Sequence, residues 1–124
     1  MKENQENTET LICYKLVKVR KDKTLGSLFI HRTAVLPLNT WLKAEYYPTK
    51  GYAPRFGWHC TFFPYAPHLS ENNRVWVECE VKNYHTYDRP ESQGGAWILA
   101  DKIRLIRILD IEEVKELRKQ REAA

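Results

Sequence analysis

The sequence predicts an α+β fold: a mostly antiparallel β-sheet of about six strands with a C-terminal α-helix. Three observations predict it. Short β-branched and aromatic runs, several of them alternating apolar with polar, recur between residues 11 and 109 and are parted by Gly, Pro and Asn. Only one segment, 110–122, carries helical caps and spacing. The composition, 43% hydrophobic and 29% charged over 124 residues, suits one hydrophobic core and is too small for two. The expected organisation is a polar flexible leader at 1–10 and a single α+β domain at 11–124.

Taken in order, Leu11-Ile-Cys-Tyr-Lys-Leu-Val-Lys-Val19 is the first strand, apolar at alternating positions. A charged turn ending at Gly26 leads to Ser27–Arg32, a second strand hairpinned to the first. Leu36–Thr40 is a turn and Trp41–Glu45 a short strand. Prolines, glycines and aromatics make 46–57 a long loop, of the kind that carries function. Trp58–Phe63 resumes a strand, and the prolines of Pro64–Leu69 end it. Arg74–Val81 is the clearest strand: Val75, Val77, Cys79 and Val81 share one side, Arg74, Trp76, Glu78 and Glu80 the other. A second long loop is expected at Tyr84–Gly95, followed by strands at Trp97–Ala100 and Ile103–Leu109. Asp110 and Glu113 form a capping box for the helix, whose Ile111, Val114 and Leu117 are expected to dock on the body.

Net charge is +4, and it is unevenly spread: residues 11–109 alone carry +7, against −2 in 1–10 and −1 in 110–124. A basic body favours a polyanionic or acidic partner over a neutral one. The polar start lacks the apolar stretch of a signal peptide, and no later run approaches the roughly 18 apolar residues of a membrane span. A cytoplasmic protein with no membrane partner is therefore expected. Cys13, Cys60 and Cys79 cannot all pair within one chain and belong to no C-x-x-C motif, so buried reduced thiols are expected.

Chemistry-bearing residues are sparse. His59, Cys60, His68, Cys79 and His85 could ligate zinc, but their spacings are irregular and adjacent strand residues point to opposite faces, so no metal is expected. His31 at a strand end and Glu78 or Glu80 on another strand are similar to the arrangement of ADP-ribosyltransferases. The alternative is one half-buried histidine and two solvent-facing glutamates. No phosphate-binding loop, nucleophile elbow or dinucleotide fingerprint is present, and no cofactor is implied. The loop Arg89-Pro-Glu-Ser-Gln-Gly-Gly95 leads into a strand and so lacks a helix dipole; a tight turn is its expected use.

Aromatics are the more distinctive signal, with nine of the fifteen lying in residues 41–65. Trp41, Trp58 and one of Phe62 or Phe63 are expected in the core. Tyr46, Tyr47, Tyr52 and Phe56, interleaved with Lys50 and Arg55, are the candidate contact loop. Arg20, Lys21, Lys23, Arg104 and Arg107 are its candidate electrostatic support.

Tyr14–Asp22, Leu25–Ile30, Pro48-Thr-Lys-Gly51, Gly57-Trp-His59, Ala66-Pro-His-Leu69, Arg74–Glu78 and Arg89–Gly95 together resemble, over about residues 14–109, a family of small accessory proteins of bacteriophages and prophages. The chain departs from that pattern at Lys23, where glycine is expected, and at Phe56, where proline is expected. The resemblance implies phage origin, a bacterial host cytoplasm and a non-structural role, and no catalytic residues. Such proteins often block host defence by binding. The partner implied is a host protein or ribonucleoprotein, such as a CRISPR effector or its RNA. Two other classes remain open: the NAD-using enzyme, and a protein-interaction module that touches no nucleic acid.

Overall fold

The computed structural model describes residues 9–26, 35–43 and 57–123. Its longest strands are three: β1 (Leu11–Val19), β5 (Arg74–Asp88) and β6 (Ala96–Ile108). β1 lies antiparallel to the first half of β5, from Leu11 opposite Val81 to Lys18 opposite Arg74. β5 and β6 form one long hairpin, from Asp88 opposite Ala96 to Val77 opposite Ile108, with a bulge between Glu78 and Cys79. The shorter strands are β2 (Leu25–Gly26), β3 (Trp41–Lys43) and β4 (Trp58–Thr61). β2 pairs with the end of β1 at Leu25 and Gly26, residues expected to belong to the turn, and β3 borders β6. The whole expected second strand, 27–32, the expected end of the third, 44–45, and residues 1–8 of the expected leader lie outside the described residues.

β4 decides the architecture. One of its edges pairs with β6 along its whole length, and Thr61 also pairs with Tyr14 of β1. The ladders β1–β5, β5–β6, β6–β4 and β4–β1 thus close a ring, and the sheet is a small barrel with a narrow seam. The Thr61 hydroxyl lies at that seam, within hydrogen-bond reach of the Phe63 carbonyl at 2.6 Å and the Tyr14 carbonyl at 3.3 Å. Cys13, Val17, Cys60, Val77, Cys79, Val81, Ile98, Ala100, Ile103 and Leu105 fill the interior and are almost wholly shielded from water. Alternation along the strands makes this core, because every second residue of β1 and β5 faces inward.

A second cluster forms on the outer side, where Leu16, Ala66, Trp76, Trp97 and Leu109 meet Val114 of helix α1 (Ile111–Ala123). The capping box is present in both directions: the Glu113 amide donates to Asp110 at 2.8 Å, and the Asp110 amide to Glu113 at 3.1 Å. Arginines then clamp the helix down. Arg118 donates to the Pro64 carbonyl at 2.8 Å and pairs with Glu71, and Arg121 pairs with Glu91. Among the described residues no helix is long and apolar enough to cross a membrane.

Three expectations need correction. Tyr84–Asp88 is strand, not loop, because Tyr84, Thr86 and Tyr87 are strand formers that find partners in β6; the connection is Arg89–Gly95, with a 3₁₀ turn at Glu91–Gln93. Trp97–Ala100 and Ile103–Leu109 are one strand through Ile108, continuous across Asp101 and Lys102. Opposite that point Asn83 takes φ 51°, and pairing resumes beyond it with Tyr84 opposite Ala100. Ile111 does not dock: it is 71% exposed. At about 100° per residue it falls about 70° from the middle of the face that Val114, Leu117, Arg118 and Arg121 turn to the body.

Candidate nucleic-acid interface

The inward residues of β3, β6 and β5 are Leu42, Ile103 and Val81, and they stand opposite one another. Period-two alternation then turns their neighbours outward. One outward row runs Trp41, Arg104, Glu80 across the three strands, and the next runs Lys43, Lys102, Lys82. Three lysines directly opposite one another are an uncommon choice, since like charges across a ladder repel.

Trp41 is held by this cationic surround. The Lys82 ammonium lies 4.4 Å from the centre of its indole and the Arg104 guanidinium 5.7 Å. Arg104 is itself fixed by Glu80, to which it donates from Nε at 3.2 Å and from the terminal nitrogen at 2.5 Å. That hydrogen bond is the main reason the Glu80 carboxyl sits below the usual carboxylate range. Glu80 is thus charged and committed, and the face keeps an excess of cations over it. Asp101 lies next to Lys102 of the lysine row. The expectation of a core Trp41 is overturned, for 37% of it is exposed. It has outward parity on a strand that, among the described residues, borders only β6. Trp58 does pack against the interior, while Phe62 is exposed and Phe63 half-buried.

Of the basic residues expected to support binding, only Arg104 belongs to this face. Arg107 ties sheet to helix, bonded to Glu113 at 2.6 Å and Glu78 at 3.0 Å. Arg20, Lys21 and Lys23 sit in the β1–β2 turn, beyond the pair of Lys18 and Arg74. Arg74 and Glu80 are six positions apart on β5, about 20 Å of strand. Arg20 also folds back on its own hairpin, reaching the Leu25 carbonyl at 3.4 Å. The contact-loop residues Tyr46, Tyr47, Lys50, Tyr52, Arg55 and Phe56 lie outside the described residues, as does His31. The chain passes directly from Lys43 of this face into that segment.

The other candidate residues have structural settings of their own. Glu78 and Glu80 each face an arginine. His59 shares a hydrogen bond of 2.8 Å with the Tyr87 hydroxyl, and His68 packs edge-on to Trp97. Cys60 and Cys79 are inside the barrel and His85 is exposed, so these five residues do not gather at one point. In the Arg89–Gly95 connection Gly94 and Gly95 take φ 100° and 78°, and Gln93 accepts from both Arg89 and the Trp97 indole, which makes it a tight turn. A shallow cavity of about 240 Å³ beside Tyr65, Leu69 and Glu71 is bordered by Arg118 of α1.

Sequence reasoning missed Trp41, Lys43, Lys82 and Lys102. A signal was there: Trp-Leu-Lys, Glu-Val-Lys and Lys-Ile-Arg are three triplets with an apolar centre and polar or aromatic flanks. Their alignment across strands was not. Comparison with protein-family models, with curated proteins and with solved structures finds no match to this chain.

Proposed function

We propose that this chain is a non-catalytic binding protein of bacteriophage origin that engages the nucleic-acid part of a host ribonucleoprotein, as an inhibitor of host defence would. The observation that carries this reading is the row Lys43, Lys102 and Lys82 beside an outward Trp41. Cations aligned across a sheet match the charge of a phosphate backbone, and phosphate contacts supply most of non-specific nucleic-acid affinity. The +7 charge of residues 11–109 supports the same reading by drawing a polyanion in over longer range. Phage origin and host defence rest on the motif resemblance.

Binding of short labelled RNA, followed by fluorescence anisotropy over a range of salt, tests it. The double change Lys43→Glu, Lys102→Glu should weaken binding by about tenfold or more and flatten the logarithmic salt dependence by roughly 1.4 for the two lost phosphate contacts. Wild-type protein that leaves RNA free at low salt, or a double variant with unchanged affinity and slope, would end the proposal.

A further inference from the structure

Resting on that reading and going one step past it, we infer that the β3–β6–β5 face takes single-stranded nucleic acid, one base stacking on the Trp41 indole while the lysine row holds the adjoining phosphates. The ring is outward on a strand that, among the described residues, borders only β6, and it is more than a third exposed. It is also already ordered. Lys82 and Arg104 lie against it, and Glu80 fixes Arg104, so little freedom is lost when a base arrives. Lys43, Lys102 and Lys82 stand in the next row of the same face, spanning about 10 Å at the spacing of neighbouring strands. An exposed indole with cations beside it is the pairing that single-strand binders use: a π-face for the base and charge for the backbone.

The shape of the surface excludes a duplex reader. Reading a duplex in its major groove takes a helix or a two-stranded ribbon that projects into the groove. This face is the convex outside of a barrel, and α1 lies flat over a different cluster, Trp76, Trp97 and Leu109. A duplex also keeps its bases stacked on one another, so Trp41 would meet only backbone. A single strand can splay a base onto it.

Anisotropy with short oligo-U, oligo-dT and a blunt duplex of equal length, on the full chain, tests the inference. Single strands should bind about tenfold tighter than the duplex, and Trp41→Ala should cost them about tenfold with the salt slope unchanged, since stacking releases no counterion. Trp41→Phe should restore most of the loss, which separates stacking from a folding defect. The oligo-U and oligo-dT arms tell an RNA source from a DNA source. Equal or tighter duplex binding, or a Trp41→Ala variant within about twofold of wild type on single strands, overturns the stacking inference alone. Failure of all three probes to bind overturns it together with the reading it rests on.

Discussion

Lys23 occupies the left-handed region at φ 74°, in the turn that joins β1 to β2. The turn is closed by the Lys23 amide donating to the Arg20 carbonyl and the Arg20 amide donating to the Thr24 carbonyl, both at 2.9 Å. Asp22 stiffens it by accepting from the Thr24 hydroxyl at 2.6 Å and amide at 3.0 Å, bonds that hold its carboxyl below the ordinary range. A three-residue hairpin turn with a left-handed final position favours glycine. A lysine in that conformation pays about 1–2 kcal/mol of steric cost. Glycine removes the clash and gives part of it back as unfolded-state entropy. Lys23→Gly should therefore stabilise the protein by about 0.5–1 kcal/mol, read as a higher urea midpoint. A lowered midpoint would show that Lys23 makes a contact worth more than its strain.

Among the elements, α1 shows most directly how local signals and packing divide the work. Its mean composition is polar and only Val114 is buried, so propensity and an apolar stripe alone would leave it marginal. Its start is fixed by the reciprocal bonds of Asp110 and Glu113, and its far half by Arg118 and Arg121. Asp110→Ala removes the cap without touching the ion pair of Glu113 with Arg107, and should cost about 1 kcal/mol in urea unfolding. No loss on that substitution would mean that the tertiary clamps set the helix start and the cap is redundant.

For the whole molecule, the closed ring is what isolates the thiols. Cys13 and Cys79 stand directly opposite on β1 and β5, and Cys60 reaches them from β4. A hydrogen bond with Cys60 and burial push the Cys13 thiol far up, and burial does the same for Cys79. The same hydrogen bond lowers the Cys60 thiol, so it is burial, common to all three, that keeps them from a reagent. None of the three should react with an aromatic disulfide reagent while the protein is folded, and all three should react once it is unfolded in denaturant. Rapid titration of a thiol in native buffer would mean that the seam at Tyr14 and Thr61 opens readily.

Much of the fold was legible because it is written in local patterns. The alternation of Val75, Val77, Cys79 and Val81, the proline stop after Phe63 and the Asp110–Glu113 box each depend on residues a few positions apart. The extent of β5 was not legible: polar His85 and Asp88 disguise a strand that exists because β6 lies beside it. The site was less legible still. Trp41, Lys43, Lys82, Lys102 and Arg104 come from three separated segments, and no sequence spacing reveals that they stand in adjacent rows. The sequence by itself determined the class, the inward face of β5, the helix cap and the basic charge of the body. Only the tertiary structure decided that the sheet closes, which lysines align and that Trp41 stays outside, because those outcomes depend on register between distant strands.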